Sequence, residues 1–338
     1  MMSDVTRRNL LAGTAGASAA AMFGGLTFST PAAAQAAASD SGQAPGWYRY
    51  KVGDIEVTAV TDGINRFKFP DGFVANAKRD EVNKALTAAF LEPDHMAIPY
   101  TAVVIRNGGK TTLIDTGTGE QNFTNSKGAA GQLNRNLAAA GIDRKDVSTV
   151  IISHFHPDHV NGLLLPDGTL AFANAEIMVP DAEHKFWTDD GEMSKATGNQ
   201  RMEGLFKNNR RVFGNESVKK QVKPYEAGKE LVPGVTAVAT PGHSVGHTSH
   251  IISSGGKSVF VQADLTNVPF LFVRNPGWHL MFDQIPDQAE ATRRKTYDML
   301  STDRTMVQGF HFPFPAIAYI EKTGDGYREV PVPWSPTL

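Results

Sequence analysis

The chain has 338 residues, 41% hydrophobic and 20% charged, enough to bury a substantial core in one large domain or two small ones. A formal net charge of -2, with no long run of like charge, argues against a nucleic-acid-binding surface. Cysteine is absent, which excludes disulfides, a cysteine nucleophile and thiolate ligation, so any metal must be held by nitrogen and oxygen.

Residues 1–36 differ in kind from the rest. Thr6-Arg7-Arg8-Asn9-Leu10-Leu11 precedes a short stretch of Ala, Gly, Leu and Phe, which gives way to Pro31-Ala32-Ala33-Ala34-Gln35-Ala36. Paired arginines, a mildly apolar middle and a small-residue end read as a twin-arginine-type signal peptide. That predicts passage through the twin-arginine export machinery and a periplasmic or secreted location. The apolar stretch is short and rich in Gly and Ala, which argues against a stable membrane anchor. Residues 37–46 read as a flexible linker, leaving 47–338 as the folded domain.

Within that domain, short β-type runs and helical patches take turns. Ile55–Val60 alternates and reads as a strand closed by Asp62-Gly63. Asp80–Phe90 reads as a helix with Asp80 as its N-cap. Thr101–Ile105 and Thr111–Ile114 are strands around the hairpin residues Asn107-Gly108-Gly109, and the second runs into Asp115-Thr116-Gly117. Leu133–Ala140 is a helix stopped by Gly141. Val147–Ser153 is a buried strand, Pro166-Asp167-Gly168 marks a loop, and Ala175–Val179 is a further strand. Asp181–Gly228 is polar on average and reads as a long irregular middle. Val235–Thr240 leads to Pro241-Gly242-His243. His250–Ser253 and Ser258–Gln262 form a hairpin around Gly255-Gly256, ending at Asp264. Asp287–Leu300 reads as a helix and Val307–Phe310 as a strand before His311. The runs Lys110–Asp115 and Lys257–Asp264 echo one another, each following a glycine pair and ending in aspartate. Two β-rich halves with helices predict a sandwich of two sheets covered by helices.

The stretch Ser153-His154-Phe155-His156-Pro157-Asp158-His159 concentrates the chemistry. In extended backbone His154 and His156 point the same way. Pro157 then breaks the regular structure, so Asp158 and His159 can address a neighbouring point. That geometry suits a pair of metal ions. Three more ligand-type residues each end a strand: His243, Asp264 and His311. The chemically complete set is His154, His156 and His243 on one ion, Asp158, His159 and His311 on the other, and Asp264 between them. Asp115 and His247 are candidates to orient these ligands from behind. His95, His184 and His279 have no such context.

These residues resemble the metallo-β-lactamase superfamily: H-x-H-x-D-H, the earlier Asp115-Thr116-Gly117, the later Pro241-Gly242-His243, Asp264 and His311 occur in that family's order. The resemblance spans about Tyr48 to Pro333. It implies an α/β (α+β) four-layer αββα sandwich with a dinuclear site at one edge of the sheets, and the same division of ligands. Within the superfamily the chain is similar to the methyl parathion hydrolase group, through Gly46-Trp47-Tyr48-Arg49, Asp62-Gly63, Val232-Pro233-Gly234 and residues 323–332. That similarity implies an aromatic leaving-group pocket at Phe123, Trp187 and Phe206, and it is compatible with a homodimer.

The expected activity is hydrolysis of an ester, lactone or phosphotriester of a small-molecule substrate. Two divalent metal ions per chain, zinc first and otherwise manganese, cobalt or iron, would supply a bridging hydroxide, with Asp158 or Asp264 orienting it or taking its proton. Two alternatives stay open: a mononuclear iron enzyme of the same fold resembling persulfide dioxygenases, and a non-catalytic metal-binding periplasmic protein.

Overall fold

Strand follows strand along much of the chain, and each of two sheets is laid down in sequence order. The computed structural model describes Gln43 and residues 46–338; the expected signal peptide and nearly all of the expected linker lie outside the described residues. The first sheet runs β1 (Trp47–Val52), β2 (Ile55–Lys68), β3 (His95–Asn107), β4 (Lys110–Ile114), β5 (Val147–Ile151), β6 (Glu176–Pro180) and β7 (Val222–Tyr225). The second runs β8 (Glu230–Val232), β9 (Val235–Ala239), β10 (Thr248–Ser254), β11 (Lys257–Ala263), β12 (Met306–Gly309), β13 (Ile317–Thr323) and β14 (Gly326–Pro331). Neighbours joined by short turns are antiparallel. Pairs β4–β5, β5–β6, β6–β7 and β11–β12 are parallel, and each is linked by a longer crossover containing helix.

Burial explains the layering. Val57, Val103, Ile105, Ile114 and Ile151 of the first sheet pack against Val235, Ile252, Val259 and Val261 of the second, closing the space between sheets. The outer face of the first sheet is covered by the helices Leu133–Ala139 and Gln200–Phe213, through Leu137, Phe206, Val212 and Phe213. The outer face of the second is covered by the helix Pro286–Thr302, through Tyr297 and Leu300. This is the αββα sandwich. A further apolar cluster at one end joins Phe73, Leu86, Met96 and Phe310 to Leu271, Phe272 and Leu280 of the 265–285 segment.

Three sequence expectations need correction. Asp181–Gly228 is not irregular: it holds helices Asp181–Thr188, Asp190–Lys195, Gln200–Phe213 and Glu216–Gln221, then β7. Asp189, Asn199 and Asn215 cap three of them by accepting backbone N–H bonds, so residues that raised the average polarity are helix starts. Asp80 does not cap its helix, which spans Arg79–Ala88 from Lys78, whose N–H is held by Glu81 at 2.8 Å. Nor does Asp62-Gly63 end its strand. A bulge between Thr61 and Gly63 carries β2 onward, and the buried Asp62 carboxylate accepts from Thr118, Gly131 and Leu133, tying down the loop after β4.

Candidate metal centre

The turn after β5 alternates as extended backbone must. Phe155 points into the core and stacks on Phe213, with ring centroids 3.9 Å apart, while His154 and His156 turn the other way. Pro157 then starts the short helix Pro157–Val160, which swings Asp158 and His159 to the same side. The loop after β4 lies against this turn: Thr116 N–H and hydroxyl both donate to the His159 carbonyl, at 2.8 and 2.7 Å. Gly162 permits that approach, since a Cβ there would sit 1.8 Å from the Thr116 carbonyl oxygen.

The other candidates arrive from the second sheet. His243 follows β9, Asp264 follows β11 and His311 follows β12. Donor atoms of His154, His156, His243 and Asp264 lie within 4.8 Å of one another, and so do those of Asp158, His159 and His311. Asp264 stands between the groups. Its Oδ2 is 2.9 Å from His311 Nε2 and 3.3 Å from His243 Nε2, and its Oδ1 is 3.1 Å from His159 Nε2. Asp158 is 3.6 Å from both His159 and His311 Nε2 and is the half-buried member; the other donors are buried.

Hydrogen bonds behind the rings fix their aim. His159 Nδ1 is 2.9 Å from Asp115, whose carboxylate also accepts from the N–H and hydroxyl of Ser153. His311 Nδ1–H donates to the Pro99 carbonyl at 2.8 Å, and His243 Nδ1 is 2.8 Å from Asp283. All three rings thereby turn Nε2 inward. His247 accepts the Asp264 N–H at Nε2, 3.0 Å, and donates from Nδ1 to the Thr240 carbonyl, which holds the backbone of the shared aspartate. Burial pushes the His247 pKa down to about 3, so the ring is neutral, as that bonding requires.

The inward atoms are what a cation needs. His154 Nε2, His159 Nε2 and Asp264 Oδ1 are buried and have no hydrogen-bond partner, and His156 faces them with Nδ1, 2.9 Å from His243 Nε2. Burial, reinforced by neighbouring rings, holds His154 and His156 well below the usual histidine range, in the neutral form that ligates. Burial opposes charge on His159 and His311, but Asp264 and the other nearby carboxylates outweigh it and raise both. Burial likewise opposes ionisation of Asp264, yet His311 and His159 hold its carboxyl well below the usual range. Five imidazoles and two carboxylates converging in nitrogen and oxygen only are a donor set suited to two divalent transition ions.

Three supports carry no local signal of that role in the sequence, where Asp62 reads only as the end of a strand and a point of family similarity. Asp283 orients His243 and is itself held by the buried Arg293 at 3.3 Å. Glu183, fully buried, accepts from Phe155 N–H, Trp187 Nε1, Ser244 hydroxyl and Gly246 N–H, stapling the 153–159 turn to the 241–247 loop. Asp62 anchors the loop of Asp115. Only a ligand-bearing family pattern for these positions would have revealed them.

A cleft of ≈ 630 Å³ opens over the donors. Its apolar wall is Phe67, Ile98, Tyr100, Leu205 and Phe282, and its polar wall is rich in carboxamides, among them Gln121, Asn122 and Asn161. The aromatics expected in a leaving-group pocket do not line it. Trp187 and Phe206 are fully buried and pack on each other, 4.8 Å between ring centroids, and Phe123 lies under Arg135. Trp187→Phe is therefore expected to leave KM within about twofold while destabilising the fold by about 2 kcal/mol, through the lost bond to Glu183. Thermal unfolding beside steady-state kinetics checks this, and a large KM change would return Trp187 to the cleft.

Fold and site together define an αββα sandwich with paired His/Asp donor groups at the strand ends. The sequence model of the metallo-beta-lactamase superfamily matches residues 97–305, and the chain belongs to that superfamily. Similar solved structures include AidC, a dizinc quorum-quenching lactonase in complex with a product, N-hexnoyl-L-homoserine. It is 24% identical, with a TM-score of 0.76 over 86% of this chain and 98% of that one. The hydrolase AbOPH is 24% identical, TM-score 0.79, over 87% and 100%. A probable metal-dependent hydrolase from Staphylococcus aureus is 21% identical, TM-score 0.67, over 86% and 100%. At these identities the likeness concerns the fold. No curated protein matches the chain.

Proposed function

We propose that the protein is a metal-dependent hydrolase of carboxylic esters or lactones, with phosphotriesters as a further class. The observation that carries this reading is the pair of donor groups at the floor of a solvent-open cleft large enough for a small molecule. Two divalent ions, zinc first, would lower the pKa of bound water from about 15.7 toward 7 and polarise the acyl or phosphoryl oxygen. His154, His156 and His243 would hold one ion, Asp158, His159 and His311 the other, and Asp264 both.

The chain's own groups complete the chemistry. Asp158, the half-buried carboxylate at the cleft, would take the proton of the attacking water. Tyr100 lines the cleft edge-on to His311, 5.6 Å between centroids. Burial, aided by Asp158, raises its pKa, so it keeps an O–H to offer the developing oxyanion or the leaving oxygen. Phe67, Ile98 and Phe282 take the apolar part of the substrate and exclude water from it.

The likeness in fold to a solved lactonase supports trying lactones first in a substrate screen. Within the superfamily we read the chain as nearest the methyl parathion hydrolase-like group, though that group's aromatic pocket does not carry over. We also read it as a periplasmic or secreted enzyme exported by the twin-arginine route, compatible with a homodimer.

The test is a hydrolysis panel of γ- and δ-lactones, N-acyl homoserine lactones, aryl esters and phosphotriesters, with zinc, manganese or cobalt supplied separately. Turnover is expected on at least one acyl class, lost on chelation and restored by metal, with two ions per chain by elemental analysis. A metal-loaded protein inert on the whole panel would favour a binding role. One iron per chain with oxygen consumption would favour a dioxygenase.

A further inference from the structure

Among the described residues, Arg201 is the one lysine or arginine that lines the cleft. It sits in the first turn of the helix Gln200–Phe213 and reaches across to the 265–285 segment. There it donates to the carbonyls of Met281 and Phe282, the latter at 2.7 Å, and its guanidinium carbon lies 5.3 Å from the centre of the Phe282 ring. Those contacts fix the group, and Asp283 acts on its charge only from a distance. Among the described residues no carboxylate comes within 4.0 Å of it, whereas Arg293, behind the same segment, has Asp283 at 3.3 Å.

Arg201 is half-buried, and a guanidinium partly shielded from water gains from a counter-charge that reaches it directly. Of the five N–H bonds of a guanidinium, two point to carbonyls here, which leaves a fork suited to a carboxylate or phosphate. The rest of the cleft does not compete for it. The lining contains no glutamate, and its two aspartates, Asp158 and Asp264, belong to the donor groups. An incoming oxyanion therefore meets one fixed cation and, away from the donors, a lining of carboxamides, the hydroxyls of Tyr100 and Thr118, and apolar side chains.

We infer that the natural substrate carries an oxyanion substituent, a carboxylate or phosphate outside the bond that is cleaved, and that Arg201 is its recognition residue. This rests on the hydrolase reading of the same site and adds to it the charge class of the substrate. A guanidinium already held by two carbonyls loses little freedom on engaging such a group, so the recognition is pre-organised.

The test uses matched γ-lactones, one bearing a ring carboxylate and the other its methyl ester, and a second pair bearing a hydroxymethyl group and its phosphate. Each is assayed for turnover and, independently, for binding by calorimetry. In the wild-type holoenzyme at least one anionic member is expected to bind and react about 10- to 100-fold better than its neutral partner. Arg201→Gln should collapse that ratio toward one, and Arg201→Lys should restore part of it. Whichever anion shows the effect decides between carboxylate and phosphate. A wild-type ratio near one for both pairs, or equal loss on neutral and anionic members in Arg201→Gln with Arg201→Lys no better, overturns the inference. If nothing is turned over but the anion binds through Arg201, the hydrolase reading fails and the recognition site stands.

Discussion

Asp264→Ala is expected to abolish hydrolysis, by at least about a thousandfold in kcat/KM, or roughly 4 kcal/mol of lost transition-state stabilisation. For the proposed two-ion centre, metal content should fall to one ion per chain or none. The reason is geometric. Asp264 is the one carboxylate within 3.3 Å of rings from both donor groups, reaching His311 and His243 through Oδ2 and His159 through Oδ1. Its backbone is held by His247, so no neighbouring acid can shift into its place. Asp264→Asn keeps the shape and removes the charge, and should retain more metal than the alanine variant while still losing turnover. Asp158→Ala separates the groups. It touches only His159 and His311, so one ion on the His154, His156 and His243 side should survive. Elemental analysis and steady-state kinetics on all three variants read the outcome. A wild-type rate in Asp264→Ala, or two ions retained, would remove Asp264 from the centre.

What the sequence carries locally can be read from it, and what depends on distant partners cannot. The sheets were legible because β4 and β11 each follow a glycine pair and run on to an aspartate, and because β5 leads into the apolar run Val150-Ile151-Ile152, as a largely buried parallel strand requires. The turn at 153–159 was legible because four ligand-type side chains fall within six positions. Asp283 and Arg293 gave no such signal. The partner of Asp283 is 40 residues away, and Arg293 lies on the core-facing side of its helix with Ala289, Tyr297 and Leu300, whereas a helical arginine usually meets solvent. Glu183 was hidden likewise, as a charged residue inside a stretch that looked polar and irregular. The aromatics failed for another reason. A tryptophan or phenylalanine on an amphipathic helix looks the same in sequence whether its face meets a cleft or a core. At Trp187 and Phe206 the core won, because the two helices that carry them pack on each other.

Arg293→Met is expected to destabilise the metal-free protein by about 3–5 kcal/mol, lowering Tm by roughly 10 °C. Arg293 is almost wholly buried. It donates to the carbonyls of Leu265, Pro276 and Trp278 at 3.2, 2.7 and 3.0 Å and lies 3.3 Å from Asp283. Methionine fills much of the volume but leaves three buried carbonyls and one buried carboxylate without their cation. Burial opposes charge on Asp283, and it is His243 and then Arg293 that hold its pKa below the usual carboxylate range. With Arg293 gone, Asp283 binds a proton more readily and its hold on His243 weakens. Asp283→Asn tests that second link separately. Its amide oxygen can still accept from His243 Nδ1, so the ring stays aimed but loses its charged partner, and metal affinity should fall about 10- to 100-fold with a smaller loss of stability. If the pair acts as a unit, the double variant should be more stable than the two single losses predict, by about 0.5–3 kcal/mol. Unfolding of the metal-free protein reads the packing role, and metal titration reads the aiming role. Loss of stability without loss of affinity would confine the ion pair to the core, whereas loss of both ties the 265–285 segment to the ring of His243.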